Sequence, residues 1–186
     1  MSTTYPIKNE EKLEKFKEYY LTVKPEYRNY TMIILGLNTA FRISDLLMLK
    51  WGDVYNKKKQ CFKEHICIIE HKTGKERSVA VNANVCKALN VLGESGREIN
   101  ENDYLFAGGR KAEAHLSRSQ AFRIVKEAAE YAGLDEHISC HSLRKTFGYH
   151  AWKQGVQPAQ LMELYNHSSY RVTKKYLCIE QEDKDR

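Results

Sequence analysis

The sequence predicts a mostly α-helical α+β fold, with a small three-stranded antiparallel sheet packed beside the helical core. Two observations predict this class. Apolar residues recur at helical spacing along most of the 186-residue chain. One stretch after Trp51 changes instead to the alternation of apolar and polar residues that is typical of strands.

Composition limits the kinds of protein this can be. Hydrophobic residues make up 42% and charged residues 29%, a balance typical of soluble globular domains. No apolar run is long enough to span a membrane, and the polar start lacks the apolar core of a signal peptide, so we expect a cytoplasmic protein. Five cysteines without regular spacing favour free thiols in a reducing compartment. The net charge of +6 indicates that the protein has a modest preference for binding polyanions.

The first helices follow from apolar spacing and from residues that end helices. Residues 9–20 predict a short helix, and Pro25 opens a second one whose run MIILGL suggests burial on nearly all sides. Asn38, Thr39 and Ala40 interrupt it, and a third helix is predicted over residues 43–50.

Three strands are predicted next, over residues 51–54, 61–70 and 76–81. Lys72 lies in the turn between the last two, where a flexible hairpin could carry it into a site, although a solvated turn lysine is the commoner case. This region also holds four candidate metal ligands. Their spacing matches no standard zinc pattern, so we expect no metal site; they are Cys61, His65, Cys67 and His71.

Two further helices are predicted, over residues 84–92 and 117–133. In the second, Ser117 or Ser119 can cap the start and Gly133 ends it. Its packed stripe is predicted to consist of Phe122, Val125, Ala129 and Ala132. Polar side chains near its start can reach base edges in a DNA major groove, although solvated charge is the default for such residues; they are Arg118, Ser119, Gln120 and Arg123.

The segment from residue 141 to residue 176 concentrates groups that bind anions or carry protons. His141 and Arg144 are three positions apart, so on a helix they project from one face. His167 is followed nine positions later (176 − 167) by Tyr176. Cations, histidines and a phenol would converge around an anion, and we hypothesise a phosphodiester.

Arg42 lies between two apolar helices, and a guanidinium in such a place needs partners. Asp45, three residues on, could fix its orientation from the same helix face. Taken alone, the pair reads more simply as a local ion pair on a helix surface.

Four segments in this order, covering essentially the whole chain, resemble the catalytic domain of the tyrosine recombinase (phage integrase) family. The segments are GLNTAFRISDLLMLKWGDV, HKTGKERSVAV, HSLRKTFGYHAWKQG and NHSSYRVTKKYL. Each motif is short, but the four in order make chance agreement improbable. The residues at the family's catalytic positions are Arg42, Lys72, His141, Arg144, His167 and Tyr176.

The resemblance implies that Tyr176 attacks a DNA phosphorus and forms a 3′-phosphotyrosyl link, without a cofactor. Arg42 and Arg144 would bind the nonbridging oxygens, and Lys72 would protonate the departing 5′-oxygen. His141 would assist proton transfer at Tyr176, and His167 would donate a hydrogen bond to the phosphate. A satisfied structural histidine is the alternative for both, above all for His167.

The sequence departs from the family's pattern in two ways. Asn166 stands where glycine is usual, and asparagine tolerates the left-handed conformation that this turn needs. We expect residues 1–186 to be a single catalytic domain without a separate N-terminal clamp domain, as in the short fimbrial-switch invertases; a fragment is the other explanation. In relatives a C-terminal segment docks on a neighbouring subunit, and Leu177 and Ile179 are the candidates here.

Three functions are consistent with the sequence. The first is a site-specific recombinase acting on double-stranded DNA as a tetramer, and as a monomer or weak oligomer when free. The second is a DNA-relaxing enzyme of the type IB topoisomerase class, which shares this chemistry. The third is an accessory protein that binds DNA without cutting it.

Overall fold

The structure, a computed structural model, describes residues 4–94, 99–109, 114–134, 137–180 and 183. Its helices are α1 (Glu10–Glu18), α2 (Tyr27–Thr39), α3 (Ile43–Leu47), α4 (Trp51–Val54), α5 (Ala83–Gly93), α6 (Arg118–Tyr131), α7 (Cys140–Lys153), α8 (Pro158–Tyr165) and α9 (Tyr170–Leu177), with a π-helical turn at Tyr19–Val23 after α1. The strands are β1 (Tyr55–Asn56), β2 (Cys61–Phe62), β3 (His65–Ile69) and β4 (Glu76–Ala80). The predicted mostly helical α+β class is confirmed.

Helix α2 is the centre of the core, as its continuous apolar run predicts. Residues from Asn29 to Leu37 along it are buried, and the helix packs against α5 and α7. Gly36 allows the close approach of α7, because a Cβ there would lie 2.7 Å from Cδ1 of Leu143. Ala40 follows the last residue of α2 as its C-cap and adopts the left-handed conformation with φ 53°.

The predicted three-stranded sheet is wrong in detail, because the structure has two separate two-stranded antiparallel sheets in the residues it describes. Strand β1 pairs with β2, and β3 pairs with β4. The predicted strand 61–70 is divided because its backbone changes partners: Lys63 N–H donates to Val54 O at 2.8 Å, whereas Glu64 O accepts from Val81 N–H at 2.8 Å.

The predicted strand at residues 51–54 is also wrong, since these residues form α4. The carboxylate of Asp53 accepts the backbone N–H of Lys50 at 2.7 Å and so closes a helical turn. The N–H of Trp51 donates to Asp103 O at 3.0 Å, which ties the turn to the following loop. The third helix is shorter than predicted, because Lys50 forms a β-bridge with Tyr104.

Helix α6 confirms its predicted cap and three of the four residues of its predicted packed stripe, since Val125, Ala129 and Ala132 are buried. Ser117 caps it, its Oγ accepting from Gln120 N–H at 3.1 Å, and Gly133 follows its end with φ 64°. Phe122 is 46% exposed, which contradicts its assignment to the core. The buried stripe includes Ala121, so the next residue is rotated about 100° away from the core.

Within the described ranges, every helix is too short or too polar to cross a lipid bilayer.

Candidate active site

Helix α7 supplies two of the predicted site residues, and it buries one of them. Arg144 is only 5% exposed, and its Nη1 donates to the carbonyl oxygen of Ala40 at the left-handed end of α2. The guanidinium carbon lies 4.9 Å from the ring centroid of Tyr165. His141, one turn earlier on α7, is exposed. Contacts with residues at the ends of α2 and α8 therefore hold Arg144 in place in the free protein.

His167 lies in the connection between α8 and α9, where the chain turns sharply at Asn166. Asn166 adopts φ 55° and ψ 47°, which confirms the predicted left-handed turn. The His167 Nδ1 atom is 3.2 Å from Oγ1 of Thr173. The imidazole stacks on the Tyr165 ring at 5.5 Å and meets the ring of Tyr176 edge-on at 5.1 Å.

Tyr176 projects from α9 into this cluster. Its ring centroid is 5.1 Å from that of Tyr165, and Nζ of Lys145 lies 5.2 Å from the Tyr176 ring centroid. Burial raises the pKa of the Tyr176 phenol, while the charge and hydrogen bonding of Arg144, and then the charge of Arg42, act in the opposite direction. The phenol is thus held beside two guanidinium groups.

Arg42 is held by a carboxylate that sequence reasoning did not identify. Arg42 is the N-cap residue of α3 and has extended backbone. Its Nη1 atom lies 2.7 Å from Oε2 of Glu70, so the two side chains form an ion pair. The contact lacks the geometry of a hydrogen bond. Burial alone would raise the pKa of Glu70, but the neighbouring Arg42 guanidinium and the hydrogen bonds from Thr73 and Arg77 lower the pKa to about 2.

The predicted contact between Asp45 and Arg42 is not what the structure shows. Asp45 is buried, and its Oδ1 accepts the backbone N–H of His71 at 3.1 Å. Two residues three positions apart share a helix face only when both are helical, whereas Arg42 precedes the first turn of α3. Asp45 therefore contacts the backbone beside Lys72, and Glu70 takes the place predicted for it.

Lys72 lies on the turn between β3 and β4, as predicted, with an exposed side chain. Among the described residues, its ammonium makes no hydrogen bond or ion pair. Its neighbour Lys75 does reach the site, because Nζ of Lys75 donates to Oδ1 of Asn166 at 2.7 Å. The structure thus brings together Arg42, Arg144, His167 and Tyr176, with His141 at the edge and Lys72 on an adjacent turn.

Burial and neighbouring cations lower the pKa of both histidines. Partial burial, and then the charges of Arg144, Lys145, Arg42 and Arg118, lower the pKa of His141. Partial burial and Arg144 also lower the pKa of His167. Both side chains are therefore largely neutral at pH 7, able to accept a proton or to offer one N–H.

The predicted DNA-reading residues lie at the start of α6. Arg118, Ser119 and Arg123 are exposed, and together with Phe122 they line one surface pocket. Gln120 differs from them, because its Oε1 accepts the N–H of Ser117 at 2.8 Å and completes the helix cap. Its oxygen is therefore occupied, and base contact by Gln120 would depend on its amide nitrogen.

Sequence reasoning missed three residues of this site: Glu70, Tyr165 and Lys145. Only Glu70 could have been recognised from the sequence, since it is an acidic residue that ends an apolar strand directly before the Lys72 turn. The possible metal ligands of the hairpin do not gather into a ligand set in the described part of the chain.

Comparison with known proteins places these features in a family. The model described as "Phage integrase family" matches residues 8–182. A probable integrase/recombinase YoeC of Bacillus subtilis is 37% identical over 98% of this chain and 93% of its own length. Tyrosine recombinase XerD of Mycobacterium leprae is 28% identical over 82% of this chain, but only 48% of its own length is covered.

Solved structures show the same fold. The crystal structure of XerA recombinase superposes with a TM-score of 0.77 at 21% identity, over 98% of this chain and 62% of the other. The XerH site-specific recombinase bound to its palindromic difH substrate, a post-cleavage complex, superposes with a TM-score of 0.74 at 24% identity. That match covers 95% of this chain and 50% of the XerH chain.

Proposed function

This chain belongs to the phage integrase family and is a tyrosine-type recombinase, and on that premise we propose that it cleaves and rejoins specific DNA sites through Tyr176. The observation that carries the proposal is the placement of the Tyr176 ring against His167, with the buried Arg144 acting on its phenol. A nucleophile next to a fixed cation suits attack on a phosphodiester.

The step balances as an exchange of phosphodiester bonds. The phenolic oxygen of Tyr176 bonds to phosphorus, the bond from phosphorus to the 5′-oxygen breaks, and the 3′-phosphate remains on the tyrosine. The phenol loses one proton and the departing 5′-oxygen gains one. Religation reverses each change, so the phosphodiester energy is kept and no nucleotide is consumed.

Each of the other five residues has one task in this step. Arg42 and Arg144 bind the nonbridging oxygens, where negative charge grows in the transition state. His141, being largely neutral, accepts the phenol proton, and His167 donates a hydrogen bond to the phosphate. Lys72 protonates the leaving 5′-oxygen, which requires its side chain to swing from the exposed turn toward the site.

The partner in this proposal is double-stranded DNA carrying specific recombination sites. The start of α6 would enter a major groove, with Arg118 and Ser119 reaching base edges, Gln120 contributing its amide nitrogen and Arg123 a further cation. We propose a tetramer on two sites, a monomer or weak oligomer when free, and the cytoplasm as the location.

The proposed docking of Leu177 and Ile179 on a neighbouring subunit requires them to leave their present positions. Leu177 is fully buried and Ile179 is 9% exposed, both in a small core with Ala40, Tyr149 and Tyr165 of the same chain. Beyond them, the Asp183 carboxylate accepts from Lys8 Nζ at 2.7 Å.

The decisive experiment uses a nicked suicide substrate, which traps the covalent intermediate because the cleaved fragment diffuses away. The unaltered chain should form a protein–DNA adduct that a protease removes, and Tyr176→Phe should form none. Tyr170→Phe, a change at the start of the same helix, should still form the adduct. An adduct formed by Tyr176→Phe would refute the proposal.

A plasmid-relaxation assay at low protein concentration separates recombination from the type IB relaxing activity. A recombinase should need its specific sites, whereas a relaxing enzyme would remove supercoils from any plasmid. Sequence-specific gel shifts without an adduct under any condition would instead indicate a DNA-binding accessory protein.

A further inference from the structure

We propose that Glu70 is a positioning residue, which holds Arg42 and the Lys72 turn in the geometry needed for DNA cleavage. The inference rests on the proposed function, since Arg42 and Lys72 receive their roles there. It adds a buried carboxylate that neither touches the phosphate nor transfers a proton.

The side chain of Glu70 connects three other side chains. The residue is 4% exposed, and its Oε2 lies 2.7 Å from Nη1 of Arg42 and accepts from Oγ1 of Thr73 at 2.7 Å. Its Oε1 accepts from Nη1 of Arg77 at 2.9 Å. One carboxylate therefore fixes the proposed phosphate-binding arginine and the residue that follows Lys72.

The backbone of Glu70 closes the same turn. Its N–H donates to Lys75 O at 2.9 Å, and its carbonyl accepts from Gly74 N–H at 2.8 Å and from Thr73 N–H at 3.3 Å. Gly74 has φ 66°, which the absence of a side chain permits. Lys72 thus extends from a loop that Glu70 closes through both its backbone and its side chain.

The far side of the hairpin is joined to the end of α8. Arg77 Nη2 donates to Leu164 O, and Lys75 donates to Asn166. Because Arg77 binds Glu70 and Leu164 at once, Glu70 is linked to the turn that carries His167. The same contacts give the hairpin a defined position relative to Arg42 and His167.

The ion pairs explain why a charge is needed at residue 70. A partly buried guanidinium is stabilised by an ionised partner. Without that partner, the side chain moves to a position where water or another anion can bind it. Glutamine keeps the size of the side chain but removes its charge. Glu70→Gln should therefore let Arg42 leave its position and loosen the turn, while disturbing the packing little.

A substrate with a sulfur leaving atom makes the proposal testable. When sulfur replaces the bridging 5′-oxygen, the leaving group needs no general acid, so a misplaced Lys72 no longer limits the rate. On the ordinary suicide substrate, Glu70→Gln should cleave about tenfold or more slowly in a single turnover, since loss of a general acid costs about 100-fold to 10,000-fold. On the sulfur substrate this defect should shrink several-fold.

The matched control is Glu76→Gln, which removes an exposed carboxylate from the same hairpin. It should cleave both substrates at the rate of the unaltered chain. An equal defect of Glu70→Gln on both substrates would overturn the proposal, as would no defect. Faster cleavage would also overturn it, because Glu70 would then be competing with the phosphate for Arg42.

Amide hydrogen exchange of the DNA-free protein gives a second readout. Glu70→Gln should speed exchange at Thr73 and Gly74 several-fold, and Glu76→Gln should not. If the unaltered chain forms no adduct, the proposed function fails, yet the exchange rates still decide whether Glu70 holds the turn. Unchanged exchange in Glu70→Gln would overturn the positioning role.

Discussion

Arg144 and Tyr165 hold each other through two different contacts. The Tyr165 hydroxyl donates to the backbone carbonyl of Arg144 at 2.8 Å, and the Arg144 guanidinium lies over the ring of the same tyrosine at 4.9 Å. The ring also lies against His167 and Tyr176. Tyr165 is therefore the buried side chain around which α7, α8 and α9 bring their site residues together.

Tyr165→Phe should lower the free energy of unfolding by about 1 kcal/mol, because it removes one buried hydrogen bond and keeps the ring. Urea unfolding measures this change. Tyr170→Phe is the control, since its half-buried ring packs under Lys174 of the same helix, and it should unfold like the unaltered protein. Equal stability of the two variants would contradict the structural role of the Tyr165 hydroxyl.

Gly148→Ala should destabilise the protein by about 1 to 3 kcal/mol, the usual cost of overpacking. A Cβ at this position would lie 2.6 Å from Cδ2 of Leu177 and would collide with the Tyr165 hydroxyl. Gly93→Ala is the control, because its Cβ would meet only Cδ1 of Ile99 at 3.9 Å. Unfolding of Gly148→Ala at the urea midpoint of the unaltered protein would contradict the prediction.

Glu70 should make stability depend on acid. Its folded pKa of about 2 lies below the ordinary 4.5, so its contribution is present above pH 4.5 and is lost as pH falls toward 2. The shift corresponds to about 3 kcal/mol. The gap in unfolding free energy between the unaltered chain and Glu70→Gln should therefore be large at pH 6 and smaller at pH 3.5.

Urea unfolding at the two pH values measures this gap. Acid effects at other carboxylates are common to both proteins and cancel in the difference. A gap that stays constant between pH 6 and pH 3.5 would show that the charge of Glu70 does not contribute to the stability of the fold.

The rate of cleavage should depend on pH through His141. Its pKa is lowered below the ordinary 6.5, so the neutral base predominates at pH 7, and the rate should fall only at a pH below 6.5. His141→Gln should remove this inflection in single-turnover cleavage. His65→Gln, an exposed change on β3, should keep it, and an inflection that persists in His141→Gln would point to another group.

Arg118→Ala should weaken binding to the target site more than binding to random DNA. A bidentate contact with a base contributes about 1 to 3 kcal/mol of discrimination. Gel shifts with both DNAs at one salt concentration measure it. Equal weakening on the two DNAs would reassign Arg118 to a phosphate contact, which carries no sequence information.

Local chemistry made several features predictable from the sequence. The buried run of α2, the Ser117 cap of α6 and the left-handed Asn166 all follow from residue types and their immediate neighbours. The errors arose where contacts with distant segments determine the local secondary structure. Residues 51–54 alternate like a strand but form α4, because Asp53 caps the turn and the loop at Asp103 binds it.

The sequence by itself determined the family and the six residues proposed to act on the phosphate, because these depend on short motifs. It also determined the mostly helical class, because that depends on the periodicity of apolar residues along the chain. Only the tertiary structure decided what holds those residues. Glu70 replaces Asp45 beside Arg42, and Tyr165 lies under Arg144. The Arg42 ion pair and the Tyr165 stack join residues that are far apart in the chain. The packing of the helices and strands determines which side chains meet across such distances.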